Sequence, residues 1–381
     1  MFRLKPIVII LSIAALLISC RGDIQPKGSF SVLIETNYHN NIFIKEADLL
    51  NYHKLKDSSS QCLGTPLEII LYNNGIQVVD EIEILDTKDE IYRLDQTQLT
   101  DPVCLNYDGS LEFLDEKIVP KKITVQEDAI VQSSAKIQDI PATVSSALDL
   151  GMADLAGNSL IDGLFEHVVL IYLDGFGYEI YEKANQMKLT PNIEDRAVVI
   201  SALTVYPPRS NVASAALLTG LYPEGSQVYR SGIRNTQAPT IFSSASKKGL
   251  TSVAIEGANA PFVIENSRFI VSDDQDQNGF SDDNTYENAM QILSAEIPRL
   301  TWIHFHGIDD SGHLYGPDSK QVYEKVAEID EYIAEIYRLL PGSTLIIIFS
   351  DHGMHTVEGN QGRHGNLIES DMVIPIIIKT K

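Results

Sequence analysis

Positive charge is what this sequence has least of. Its 29 lysines and arginines stand against 52 aspartates and glutamates, a formal charge of −23. A groove for nucleic acid needs basic surface, so that class of partner is not expected. Repeats at solenoid period are missing too, which sets aside a stacked-repeat architecture. Cysteine is nearly absent, at three residues. Cys20 belongs to the extreme N-terminus, which leaves Cys62 and Cys104. In an oxidising compartment they form one disulfide with no ambiguity of partner; otherwise they are two buried thiols. The apolar run PIVIILSIAALLIS, behind Arg3 and Lys5, is short for a membrane-spanning helix and has the length of a signal-peptide core.

That run ends LLISC and is followed by the polar RGD. The order resembles a bacterial lipobox, in which the cysteine takes a lipid and becomes the mature first residue. The resemblance implies residues 1–20 as signal peptide and an exported lipoprotein, tethered to a cell-envelope membrane through Cys20.

A length of 381 residues suits two domains, and 44% hydrophobic content can bury a sizeable core. From 21 to 125 the texture is β-like. FSVLIET, PLEIILYNNGIQVVDEIEIL, EIYRL and SLEFLDEKI are short runs rich in β-branched residues, with Asn74-Gly75 as a hairpin turn. The expectation is a small antiparallel sandwich with no chemistry of its own. Residues 126–163 read as a linker with helical segments around PATVSSALDLG. From 164 to 381, continuous apolar strands alternate with amphipathic patterns such as KQVYEKVAEIDEYIAEIYRLL. This is the signature of an α/β fold, a mostly parallel sheet sandwiched by helices.

Three of those strands stop at acidic residues. IYLDG ends in Asp174, FHGIDD leads to Asp309, and IIFSDHG ends in Asp351 and His352. Ligands of an open α/β sheet bind beyond the carboxyl ends of its strands, so these side chains converge on one crevice. Asp309 and His313 bracket Asp310-Ser311-Gly312, where the glycine is expected to curl a loop so that both point inward. His364 lies between glycines in GRHGN, and His355 in HGMHT competes for its role. Carboxylate and imidazole donors suit zinc, with manganese or iron as competitors. In PPRSNVASAALLTGLYPEG, Ser210 is expected to cap a helix that ends at Thr219-Gly220. A serine there feels the positive end of the helix dipole.

YLDGFG, then a serine followed by ALLTGLYPEG, then DDSGH, SDHGM and GRHG occur in the order of the alkaline phosphatase superfamily. Within it the set looks most like the nucleotide pyrophosphatase/phosphodiesterase branch, over about 167–378. The resemblance implies two divalent ions, zinc or manganese in its place. Asp174, Ser210, Asp351 and His352 would hold one; Asp309, His313 and His364 the other. It implies Ser210 as the nucleophile, a phosphoserine intermediate, and a small-molecule phosphate ester or nucleotide as substrate. Diester or pyrophosphate hydrolysis comes first, a phosphate monoesterase second, and a non-catalytic binding lipoprotein third. Sulfatases of the superfamily need Pro and Arg where Val212 and Ser214 stand. The branch's phosphoryl-contacting asparagine falls by spacing at Ser231, beside Arg230, which makes these two the candidate substrate contacts.

DDQDQNGFSDDN resembles a calcium loop, with Asp274, Asp276, Asn278 and Asp282 as donors, although Thr285 stands where an EF-hand closes with glutamate. A solvated acidic loop accounts for the same letters. His304 and His306 share one strand face and read as core or edge histidines.

Overall fold

The strand His167–Leu173 is buried at every position after its first residue. Its side chains alternate between two cores: Val168, Leu170 and Tyr172 join one, and Val169, Ile171 and Leu173 the other. A strand covered on both faces must be apolar at consecutive positions, hence the unbroken VVLIYL. The computed structural model describes residues 30–381 apart from 38, 54, 57–61, 63, 115 and 128–134. The stretch read as a signal peptide, with Cys20, lies outside the described residues. No helix among the described residues is long and apolar enough to cross a membrane.

The strand sits inside an eight-stranded sheet. Across it run Ala135–Lys136, Val198–Leu203, Val373–Thr380, Thr344–Phe349, His167–Leu173, Leu300–Phe305, Ser252–Glu256 and Arg268–Val271. Val373–Thr380 pairs antiparallel with both neighbours, while the other pairings are parallel. Seven strands therefore deliver their carboxyl ends to one edge. Helices cover both faces. In Lys320–Leu339, Val322, Val326, Ile329, Ile333 and Ile336 form the buried stripe, and Ser319 caps the start by accepting from Val322 N–H. The α/β sandwich read from the sequence is the fold found.

The stretch 126–163 contributes to this unit. Ala135–Lys136 adds the edge strand, and the helix Asp139–Ala147 buries Ile140 and Val144 in the sheet's core.

The N-terminal part differs from the expected antiparallel sandwich. Ser31–Thr36, Ile42–Lys45, Val79–Asp86, Ile91–Asp95 and Pro120–Glu127 form a mixed five-stranded sheet, in which Ser31–Thr36 runs parallel to Pro120–Glu127. A four-stranded sheet of short strands lies beside it. Leu67–Asn73, expected as a strand, is a helix, and Asn74-Gly75 ends it instead of turning a hairpin. A short apolar run carries no period long enough to separate the two conformations. Cys62 and Cys104 are bonded, with Cα atoms 5.6 Å apart.

The two parts share a core. Leu203, Tyr206, Leu367, Ile368, Met372 and Val373 pack into the apolar cluster of the N-terminal sheets. Asn366 Nδ2 donates to the carbonyls of Leu99 (2.7 Å) and Thr100 (2.9 Å), and Val79 N–H donates to Leu367 O.

Candidate active site

At the sheet's carboxyl edge, Asp174 follows the central strand and is almost fully buried. Gly175 turns the chain with φ +70°, and a Cβ there would lie 2.9 Å from Asp309 Cβ. Only glycine permits both the turn and the approach of Asp309. Asp351 and His352 follow Thr344–Phe349 and are completely buried. Gly175 N–H donates to Asp351 Oδ1 at 3.1 Å, which ties two strand ends together.

Asp309 and His313 do not lie in a loop. They occupy the helix Gly307–Tyr315, where a spacing of four places both on one face, Oδ2 and Nε2 3.3 Å apart. Gly312 serves close packing: a Cβ there would sit 2.5 Å from Met354 Sδ. Ser210 is the first residue of the helix Ser210–Thr219, and Arg209, not Ser210, holds the cap position. The serine hydroxyl makes no capping bond. It points instead at the strand ends, 3.2 Å from His352 Nε2 and 3.4 Å from Asp174 Oδ1.

Three histidines are oriented alike. His352 Nδ1 lies 3.1 Å from Gly353 O, His313 Nδ1 2.9 Å from Gly362 O, and His364 Nδ1 2.8 Å from Pro208 O. A carbonyl only accepts, so each Nδ1 carries a proton and each neutral ring keeps its lone pair on Nε2. Those Nε2 atoms face carboxylates. His352 Nε2 is 3.1 Å from Asp351 Oδ2 and 3.5 Å from Asp174 Oδ1, and His364 Nε2 is 3.8 Å from Asp309 Oδ1. Asp309 Oδ1 and Asp351 Oδ2 are buried and make no hydrogen bond. Lone pairs facing carboxylate oxygens in a buried site are the arrangement of a cation centre.

Electrostatics agrees. Burial, then the charges of Asp351 and Asp309, push the Asp174 carboxyl well above the usual carboxylate range. Burial works in the same direction on Asp309, but its hydrogen bond with His313 opposes it, and that carboxyl is held below its usual range. His364 is pushed down to about 3 by burial and by His352, so it stands neutral, as a ligand must. The donors gather as Asp309, His313 and His364, and as Asp174, Asp309 and His352, each set within 4.8 Å. Asp309 thus belongs to both groups. This donor set fits divalent cations of the zinc class.

His355 is not part of it; its Nδ1 pairs with Asp371 at 2.8 Å. Asp371 Oδ2 in turn accepts from Gly365 and Asn366 N–H, which fixes the loop bearing His364. Of the two candidate substrate contacts, Ser231 Oγ accepts from Arg209 Nη1 at 3.1 Å, whereas the Arg230 side chain is exposed and lies over the Tyr229 ring. Asn211 Nδ2 holds the loop through the carbonyls of Arg230 and Ile233. The sequence reading missed Arg209, although it immediately precedes the serine. It also missed Glu256, an acid at the end of a buried apolar strand. In the proposed calcium loop, Asp274 and Asp276 accept from Asn278 N–H. Asp282 does not join them: it turns into the interior, accepts from His306 and Gly307 N–H, and lies 3.6 Å from Lys325 Nζ. A lysine at that distance already supplies the charge that carboxylate needs.

A cavity of about 350 Å³ is lined by Glu68, Tyr206, Arg209, Arg363 and Asn366. Its walls come from both parts of the chain.

The model of the type I phosphodiesterase / nucleotide pyrophosphatase family matches residues 168–372, a stretch that holds Asp174, Ser210, Asp309, His313, Asp351, His352 and His364. The chain belongs to this family. It thereby falls in the alkaline phosphatase superfamily. GPI ethanolamine phosphate transferase 3 of Schizosaccharomyces pombe is 40% identical over 62 residues, 16% of this chain and 6% of that protein. The catalytic subunit of human GPI ethanolamine phosphate transferase 2 is 23% identical over 236 residues, 56% of this chain and 23% of that protein. The chain thus spans less than a quarter of the length of either relative. Among solved structures, murine ectonucleotide pyrophosphatase/phosphodiesterase 5 is 18% identical, with a TM-score of 0.40 covering 51% of this chain and 58% of that one.

Proposed function

We propose that this protein hydrolyses phosphodiester or pyrophosphate bonds of small-molecule substrates such as nucleotides, with Ser210 as nucleophile. The observation that carries the reading is the position of Ser210 Oγ, 3.2 Å from His352 Nε2 and 3.4 Å from Asp174 Oδ1. Asp174, Asp351 and His352 with Ser210, and Asp309, His313 and His364, are the residues that would hold two divalent cations, zinc or manganese. When bound, these supply positive charge that favours the serine alkoxide and steadies the leaving oxygen.

The chain's own residues account for the rest. Ser210 Oγ attacks phosphorus and the bond to the leaving oxygen breaks, which yields a phosphoseryl species. The lone pairs of His352 Nε2 and Asp174 Oδ1 would be committed to the cation, so the proton lost by Ser210 passes to solvent water. Water then cleaves the Oγ–P bond and restores the hydroxyl. Arg209, whose guanidinium is held by Ser231, would pair with a non-bridging phosphoryl oxygen. The cavity lined by Glu68 and Tyr206 would take a group attached to phosphorus. Export and tethering through a lipid on Cys20 complete the proposal; their support is the LLISC sequence alone.

A second reading passes the covalent group to an acceptor alcohol instead of water, and the relatives named as ethanolamine phosphate transferases favour it. Purified protein with zinc or manganese should be offered bis- and mono-p-nitrophenyl phosphate and a dinucleotide, with and without an acceptor alcohol. Faster release from the diester supports the first reading. Release that requires the alcohol supports the second, and preference for the monoester contradicts both.

A further inference from the structure

Glu68 sits in the first turn of the helix Leu67–Asn73, where an exposed carboxylate would serve the helix dipole equally well. Here the residue is only 7% exposed. Burial lifts its pKa to about 8, against a hydrogen bond from Tyr206. The groups that act on it are that hydroxyl, which donates to Oε2 at 3.4 Å, and Asp371, which adds to the rise. Neither is a cation. An acid buried at a cost to stability, on the wall of a cavity, is a candidate for binding something.

That cavity carries both signs of charge, and they come from different parts of the chain. Arg209 and Arg363 belong to the stretch matched by the family model, whereas Glu68 and Asp101 belong to the N-terminal part. Arg209 immediately precedes Ser210, and its Nη1 donates to Ser231 Oγ. Its guanidinium also packs against Gly365, where a Cβ would lie 3.4 Å from Nη2. Gly365 directly follows His364. The positive side of the cavity is thus tied to the segments that bear Ser210 and His364, and it suits phosphoryl oxygens. The acids serve no anion. Glu68 shares its wall with Tyr206, whose ring lies 5.5 Å from that of Tyr72. An unpaired buried carboxyl beside aromatic rings suits an organic cation, because the acid gains a counter-ion and the rings attract positive charge.

We propose that the cavity receives an alkylammonium group carried by the substrate's phosphorus, with Glu68 as its counter-ion and the specificity-determining residue. The proposal rests on the phosphoester reading above and narrows it to zwitterionic esters, anionic at phosphorus and cationic at the attached group. The N-terminal part then selects the substrate, while the family segment carries the chemistry. Glu68 touches the ammonium group and takes no part in bond breaking.

The test compares aminoalkyl p-nitrophenyl phosphates of short and long chain with alkyl esters of the same length, using the full chain loaded with zinc. In the wild type at pH 7, kcat/KM should favour the best amine over its alkyl counterpart by about 10–100-fold, the size of a hydrogen bond to a charged group. The ratio should fall to about one in Glu68→Gln, and Glu68→Asp, which keeps the charge, should retain part of it. Turnover of bis-p-nitrophenyl phosphate with no preference for any amine would overturn this inference alone and leave the hydrolase reading intact. A preference that survives in folded Glu68→Gln would also overturn it. If no ester is turned over, the hydrolase reading fails, and calorimetry on the same proteins reads the same ratio in Kd. Equal Kd values for amine and alkyl esters would then overturn the ammonium site as well.

Discussion

Asp309 and His313 stand one helical turn apart, with Oδ2 and Nε2 3.3 Å from each other and His313 Nδ1 anchored on Gly362 O. In the proposed reading the pair shares a cation. His313→Ala should therefore raise the zinc concentration needed for half-maximal turnover by more than the roughly 10–100-fold typical of losing a residue behind a ligand. Chelation should abolish turnover in the wild type, and zinc or manganese should restore it, while calcium alone should not. The check is a metal titration of both proteins; overlapping curves would remove His313 from the ligand set.

Glu68 offers a pH test away from the proposed ligands. Burial raises its pKa from 4.5 to about 8, against a hydrogen bond from Tyr206, with Asp371 adding to the rise. Between those values the folded state keeps a proton that the unfolded state has lost, so stability falls as pH rises through the window. Below about 4.5 the group contributes nothing, and above about 8 the full penalty applies, on the order of several kcal/mol. Glu68→Gln should thus be more stable than wild type at pH 8.5, with the gap closing toward pH 5. Denaturant unfolding at both values reads it, and a gap independent of pH would contradict the assignment.

If Cys20 carries the lipid, Cys20→Ser should move the protein from the detergent phase to a precursor or a soluble species, with hydrolysis intact. Phase partitioning with lipid labelling measures this. Unchanged partitioning of an unlabelled mutant would end the lipoprotein reading.

The edge that carries the candidate site was legible because apolar strands that stop at Asp174 and Asp351 leave charge at a fixed place in a parallel sheet. The same rule applies to SVAIE and would have found Glu256. The helix bearing Asp309 and His313 was hidden by its letters, since two aspartates and a glycine read as loop, although their spacing of four is helical. Leu67–Asn73 was misread because a short buried run has no decisive period. What the N-terminal sheets do at the site was not legible at all. Asn366 reaches Leu99 and Thr100 across more than 260 positions, and no local pattern records a contact of that kind.

The central claim is that Ser210 becomes covalently bonded to phosphorus. Ser210→Ala removes no capping bond, so it should cost under about 1 kcal/mol of stability and leave a folded protein. Turnover should nevertheless fall by several orders of magnitude, and Ser210→Thr should keep part of it. The most direct measurement is acid quenching of the wild type during turnover, followed by mass spectrometry of the peptide that contains Ser210. The account predicts a phosphoryl adduct on that serine which disappears when substrate is exhausted. An unmodified peptide during rapid turnover, together with near-wild-type rates in the folded alanine variant, would contradict it.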